Sequence, residues 1–341
     1  MKPSPTITDL PPPPPGRTGW PWTEGCAPCE ADGPRITVIT PSYMQGCYIE
    51  ETIRSVLLQG YADLEYFVLD GGSTDETRDI IRKYEPWLAG WRCERDRGQS
   101  SAINEGWAKA TGELVSWINS DDWYQPGALA AIARAAVQKP DAVWWMGCVD
   151  DTDADGIVIK RHHPRAMPLA QMLGRHDYGF HQPGMFWRRS HVREMGPLDE
   201  SLHNSFDGDL WARSLAARHT MECVDAPVAC FRRHQLSKTG GNITRMLAED
   251  RTVFARYAGK LTAADHAQAE HWLSEYEAER VPAAVYQLLA AGKRTAALRQ
   301  LLRHTRLLPK LRPPTLFLGA LWRILVTGKP APWYLEKVGG L

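Results

Sequence analysis

The sequence predicts an α/β sandwich with a largely parallel central sheet, followed by a helical appendage. Three observations carry that prediction. From Arg35 onward, short β-rich runs alternate with helical ones; the second such run is almost unbroken apolar sequence; and strand patterning stops near Asn242.

Taken in order, residues 36–40 read as the first strand and 49–58 as the first helix. There Ile49, Ile53, Val56 and Leu57 recur at i, i+4, i+7 and i+8, one stripe that would cover a sheet face. Residues 64–70 read as a buried parallel strand, and 77–84 as the next helix. A third unit pairs a helix over 101–110 with a strand over 113–118, and an alanine-rich helix follows Pro126. Residues 142–149 and 157–160 flank an acidic turn and predict a hairpin. Residues 263–306 predict two antiparallel helices broken near Gly292, and 307–327 form a proline-interrupted apolar and basic segment. Residues 1–34, with prolines at 11–15, read as an extended leader outside the fold. The linear division is thus leader 1–34, α/β domain 35–242, helical hairpin region 243–306 and basic tail 307–341.

The 341 residues hold 40 basic and 40 acidic side chains, so formal charge cancels. After residue 290 there are ten Lys and Arg against one acid, which leaves the body acidic and the tail basic. Seven cysteines without framework spacing suggest reduced thiols and a cytoplasmic location. The lone pair Cys26 and Cys29 makes a weak metal motif. No run of eighteen apolar residues occurs, and no secretory signal pattern opens the chain. Residues 315–328 are too short to cross a bilayer and are flanked by Arg312, Arg323 and Lys329, a pattern suited to an anionic membrane surface with Trp322 at headgroup level. A helix packed on the rest of the protein is the alternative. Nucleic acid is not expected as a partner, because aromatic and basic residues are not interleaved as a stacking platform.

In an open parallel sheet, ligands bind beyond the carboxyl ends of the strands. Three successive strands end in TPSYMQG (40–46), DGGSTDET (70–77) and NSDDW (119–123). Asp70 would project from its strand end, Gly71 and Gly72 permit a tight turn, and Ser73 or Thr74 would cap the next helix. If the third strand continues, Asn119 and Asp121 face one side while Ser120 and Asp122 face the other. A carboxylate there can hold a hard divalent ion whose other ligands are substrate phosphates. Trp144, Trp145, Trp187 and Trp211 read as core aromatics.

From Arg35 to about Ser237 the chain resembles the family 2 glycosyltransferases. The matching segments are TPSYMQGCYIEETIRSVLLQG, LEYFVLDGGSTDET, ERDRGQSSAINEGWAKATGELVSWINSDD and FDGDLW followed by RRH. The resemblance implies a GT-A type, Rossmann-like sandwich and transfer of a sugar from a nucleoside diphosphate, UDP-sugar foremost, with inversion at the anomeric carbon. It implies a nucleotide pocket lined by Thr40 and Pro41, with Asp70 on the base. Tyr43, Gly72, Arg97, Gln99, Asn104, Asn119, Ser120 and Asp121 complete the expected nucleotide-sugar contacts. Asp121 ends the family's DxD motif and, with His234, would meet a divalent metal, Mn2+ or Mg2+. Asp207 matches the general base, with Asp209 the fallback. Asp122, His181 and Gln182 are candidate contacts to donor or acceptor sugar, a structural histidine being the alternative for His181.

Two positions depart from the family pattern. Asn119 stands where the first DxD carboxylate belongs, which makes metal affinity depend more on the nucleotide. Phe206 stands where Glu often precedes the base. The expected acceptor is a glycan or lipid-linked hydroxyl, in cell-envelope polysaccharide synthesis at the inner face of the membrane. A non-catalytic nucleotide-sugar scaffold is the first alternative. A sugar-phosphate nucleotidyltransferase is the second, weakened by the absence of a basic residue in TPSYMQG.

Overall fold

The computed structural model describes residues 4–28, 33–176, 179–219, 221–234, 242–304 and 315–330. The chain divides into two compact units that do not follow sequence order. The first comprises Met1–Ala166, Gly179–Ser201 and Arg218–Arg232; the second comprises Met167–Tyr178, Leu202–Ala217 and Arg233–Leu341. The linear limits 35–242 therefore do not coincide with the first unit, which takes in the leader and leaves out Asp207 and Asp209.

The first unit is built on one nine-stranded sheet. Its strands are β1 (Ile36–Ser42), β2 (Leu64–Asp70), β3 (Gly90–Cys93), β4 (Leu114–Trp117), β5 (Trp123–Tyr124), β6 (Trp144–Thr152), β7 (Val158–His162), β8 (Met185–Arg188) and β9 (Met221–Arg232). They lie in the order β3-β2-β1-β4-β8-β6-β9-β5, with β7 on β6. β3, β2, β1 and β4 run parallel, as do β6 and β9, whereas β8, β5 and β7 pair antiparallel with their neighbours.

The helices α1 (Ile49–Leu57), α2 (Thr77–Tyr84), α3 (Gln99–Lys109) and α4 (Ala128–Gln138) occupy the expected connections, and α6 (Arg189–Met195) follows β8. Ile49, Ile53, Val56 and Leu57 are all buried, so the predicted stripe does cover the sheet. A tryptophan stack fills the middle of this unit: Trp187 lies 5.2 Å from Trp117 and 6.4 Å from Trp144, centroid to centroid. Trp144, Trp145 and Trp187 are core, as the sequence predicts.

The leader is not outside the fold. Leu10 and Trp22 are buried, and Arg54, itself fully buried on α1, donates to the carbonyls of Pro11 (2.7 Å), Pro21 (3.0 Å) and Trp22 (2.9 Å). Trp20 Nε1 donates to Tyr124 O at 2.8 Å. A proline-rich strand has spare carbonyls and few N–H groups, and a buried guanidinium with five donors answers that need. Cys29 lies outside the described residues.

The second unit is helical: α5 (Leu169–Leu173), α7 (Phe206–Ala216), α8 (Ile243–Tyr257), α9 (Ala263–Ala290), α10 (Arg294–Arg303) and α11 (Thr315–Trp322). The helices α9 and α10 break at Gly292 as predicted, and Val285, Tyr286, Leu289, Ala297 and Leu301 form a second core. Ala320 and Ile324 are buried in that core, and Arg294 donates to the carbonyl of Ile324 at 2.7 Å, so the tail packs by one face. Trp322, Leu325 and Val326 remain exposed. No described helix is long and apolar enough to cross a membrane.

Candidate active site

The parallel pairing of β1 with β2 and β4 sets the site. Ser42 is in register with Asp70, Asp70 with Cys93, and Ile39 with Trp117. The turns after β1, β2 and β4 therefore leave the sheet at one carboxyl edge, where a ligand of an open α/β sheet binds.

Asp70 organises the second turn. Its buried carboxylate accepts the N–H groups of Gly72 (3.0 Å) and Ser73 (2.7 Å), the Ser73 hydroxyl (2.6 Å) and the Cys93 thiol (3.0 Å). Burial first, and then the bond to Asp70, pushes the Cys93 thiol up to about 11. Gly72 has φ +88°, and a Cβ there would meet Arg95 N at 3.0 Å, so both conformation and space favour glycine. The cap of α2 differs from expectation. Ser73 is spent on Asp70, and Asp75 accepts the N–H groups of Thr77 (3.2 Å) and Gly46 (2.9 Å), tying the first turn to the second.

The third turn also differs. β4 ends at Trp117, and residues 119–122 form a tight turn closed by Asp122 N–H to Asn119 O at 3.1 Å, so strand alternation does not govern them. Ser120 and Asp122 are buried and Asp121 is half-buried. Asn119 Oδ1 accepts from Gln99 at 2.6 Å, and its Nδ2 donates to Asp122 at 3.2 Å. Burial, then the neighbouring Asp121 charge, raises the Asp122 carboxyl well above the usual carboxylate range. Asp121 is thus the half-buried carboxylate of this turn, a hard oxygen donor of the kind that could hold a cation, while the Asn119 amide is committed to holding the turn.

The structure groups Thr40, Pro41, Tyr43, Asp70, Gly72, Gln99, Asn119, Ser120, Asp121 and Asp122 at this edge, with different parts to play. Thr40 is buried against the Tyr66 hydroxyl at 2.9 Å and supports the edge from within; Tyr43 is 63% exposed and available to a ligand. Gln182 Nε2 donates to Trp117 O at 2.7 Å, so this residue buttresses the end of β4. Arg97 does not present a guanidinium to the site, because it pairs with Glu200 at 2.7 and 3.1 Å. The Asn104 amide is similarly spent on the N–H and carbonyl of Leu198.

Asp207, Asp209 and His234 belong to the second unit. Glu249 accepts the N–H groups of His203, Asn204 and Ser205, which fixes the turn from which α7 starts. Asp207 sits half-buried in the first turn of α7 and accepts the N–H of Gly208 at 2.6 Å. Asp209 is buried and accepts from Arg213 (2.5 Å), Arg256 (2.9 Å) and Tyr257 (3.1 Å), so its charge is held in a structural network. His234 is half-buried, two residues beyond β9.

Sequence reading missed Arg232, which organises the acidic turn. Its N–H donates to Asp122 Oδ1 (2.9 Å), and its guanidinium donates to Asp121 O (3.0 Å), Ala154 O (2.8 Å) and Glu51 (2.8 Å). The guanidinium also lies over Trp123 and Tyr48, 4.4 and 4.9 Å from their centroids. An arginine closing an otherwise apolar strand run, ValAlaCysPhe, was the available signal.

Residues 37–196 match the family model described as Glycosyl transferase family 2. An uncharacterized glycosyltransferase of Nostoc sp. is 32% identical over 142 residues, 41% of this chain and 44% of that protein. The Bacillus subtilis glycosyltransferase TuaG, named for teichuronic acid biosynthesis, is 37% identical over 147 residues, 41% of this chain and 57% of its own length. The matched region thus spans about half the length of these two relatives. Among solved structures, Staphylococcus aureus TarS 1-349 in complex with UDP aligns with TM-score 0.53 and 16% identity, over 89% of this chain and 92% of that one. The Pyrobaculum calidifontis mannosyltransferase PcManGT, in complex with GDP-Man and Mn2+, aligns with TM-score 0.54 and 21% identity, over 89% and 90%. At these identities the two structures establish the fold.

Proposed function

We propose that this chain, whose residues 37–196 match the model of glycosyltransferase family 2, transfers a sugar from a nucleoside diphosphate to an acceptor hydroxyl with inversion at the anomeric carbon. The observation that carries the reading is the shared carboxyl edge of β1, β2 and β4, with Tyr43, Asp70 and Asp121 on its three turns. UDP is the nucleotide to test first, since it is the one bound by TarS. The relatives TuaG and the Myxococcus xanthus O-antigen biosynthesis protein RfbC point to a surface glycan or its lipid-linked precursor as acceptor.

In this reading Asp207 takes the proton from the attacking hydroxyl as its oxygen bonds to the anomeric carbon, and the electron pair of the broken bond leaves on the diphosphate. Asp207 suits the role because Asp209 is tied up in two arginine pairs. Asp121 would hold Mn2+ or Mg2+ together with the donor's diphosphate. Such an ion, when bound, neutralises charge on the leaving group. Tyr43 stacks on the donor, while Asn119, Gln182 and Arg232 keep the acidic turn in shape. The exposed Trp322, Leu325 and Val326 beside Arg323 and Lys329 would rest on an anionic membrane at its cytoplasmic face. Sedimentation with anionic but not neutral vesicles checks that part.

A thermal-shift panel of UDP, GDP and dTDP, with and without Mn2+, tests the donor site. One nucleotide should raise the melting temperature in a metal-dependent way, and Asp121→Ala should abolish the metal dependence. No shift with any nucleotide would overturn the reading.

A further inference from the structure

The hairpin of β6 and β7 carries chemistry that the transfer reaction does not use. Its two faces differ. On one, Asp150 forms a two-point ion pair with Arg161, at 2.7 and 2.8 Å. On the other, Asp151 faces imidazole: His162 Nε2 lies 3.0 Å from Asp151 Oδ2. The loop before β8 brings a second imidazole to the same place, since the rings of His162 and His181 are 3.9 Å apart between centroids, with planes 34° apart. All three belong to the first unit.

We propose that Asp151, His162 and His181 bind a first-row transition ion, Zn2+ fitting best, at a site separate from the cation of the nucleotide. One ligand atom from each of the three lies within 4.8 Å of the others. Tetrahedral Zn2+ with nitrogen and oxygen ligands needs them about 3.3 Å apart, so a rotamer-scale closure completes three positions and leaves a fourth for water. Two imidazoles and one carboxylate select Zn2+ and its neighbours over Mg2+ and Ca2+, which favour all-oxygen shells. Burial strengthens the case: the Asp151 side chain is 4% exposed, and a carboxylate so deeply placed gains most from a directly bound cation. The His162 side chain, 17% exposed, leaves a path for the ion to enter.

The site has a structural consequence for the catalytic edge. His181 is followed by Gln182, which donates to Trp117 O at the end of β4 and lies 3.4 Å from the Asn119 amide. An ion gripping His181 would fix Gln182 beneath the acidic turn, making His181 a positioning residue.

The test uses the untagged full chain, stripped with chelator and titrated with Zn2+, with stoichiometry read by elemental analysis after dialysis. One equivalent should bind with a dissociation constant below about 1 μM, Mg2+ in large excess should not displace it, and Co2+ in its place should give visible ligand-field absorption. His162→Ala and His181→Ala should each weaken binding at least tenfold, whereas Asp121→Ala should leave it intact. His162→Gln provides a second variant at the same position, and circular dichroism confirms that each variant is folded. A neighbouring group, the buried Cys148 with the exposed His163 and Asp225, supplies the control. Loss of Zn2+ in His163→Ala with retention in His162→Ala would place the ion there and overturn the proposal. Unchanged affinity in both His162 and His181 variants, or no equivalent retained by the wild type, would overturn it too.

Discussion

Replacing Asp209 by asparagine and, separately, Asp207 by asparagine should produce opposite phenotypes. Asp209 is buried and accepts from Arg213, Arg256 and Tyr257 at 2.5, 2.9 and 3.1 Å. The amide keeps one acceptor oxygen but removes the charge that two guanidinium groups share. A charge-assisted bond contributes about 1.5–3 kcal/mol, and one of the two arginines keeps a partner, so Asp209→Asn should cost about 2–4 kcal/mol. For a unit of this size that lowers the melting temperature by about 5–10 °C. Asp207 is half-buried, and the bond its side chain accepts from the adjacent Gly208 N–H can be kept by the amide oxygen. Asp207→Asn should lower transfer about 10²–10⁴-fold in a chain that still folds, with a smaller fall in melting temperature than Asp209→Asn. Calorimetry and a UDP-release assay on the folded variants read both effects. An Asp209→Asn enzyme that is inactive at unchanged melting temperature, beside an active Asp207→Asn enzyme, would refute the division of roles.

Arg54→Ala removes the donor shared by three leader carbonyls; stability should fall by about 3–5 kcal/mol, and limited proteolysis should cut between residues 11 and 22. Arg232→Lys keeps the charge but cannot reach Asp121 O, Ala154 O and Glu51 together; a loss of about 2–3 kcal/mol and weaker nucleotide binding should follow, read by melting and titration. Burial, and then the nearby His219, pulls the His191 imidazole down to about 4 in the folded chain, against about 6.5 unfolded. The unfolded state therefore takes up the proton first, so stability is full above pH 6.5 and falls as the pH drops from 6.5 towards 4. His191→Gln should flatten that part of the melting-temperature profile.

β1, β2 and β4 were legible because they are largely buried and read as apolar runs that end in turn residues, whereas β3, half-buried over GlyTrpArgCys, was not. Asp70 and the acidic cluster could be placed at strand ends from that pattern alone. The 119–122 turn was not legible, since nothing local shows that the strand stops at Trp117; the turn is held by Gln99 and Arg232, from distant segments. Leader docking escaped for the same reason, because it depends on a buried arginine from α1. Arg97 and Asn104 carried the composition of a ligand loop, yet their partners Glu200 and Leu198 come from about a hundred residues away. The preference between Asp207 and Asp209 needed Arg256 and Tyr257, which no spacing rule connects to FDGDLW.

The most direct test of the account is turnover. Wild type and Asp207→Asn are incubated with Mn2+, membrane glycan extract and UDP-sugars of known anomeric configuration, with released UDP and the product's anomeric proton followed by NMR. The account predicts UDP release from one donor, a product of opposite anomeric configuration, and neither from Asp207→Asn. A product that retains the donor's configuration, or nucleotide binding without UDP release from any donor in the panel, would contradict it.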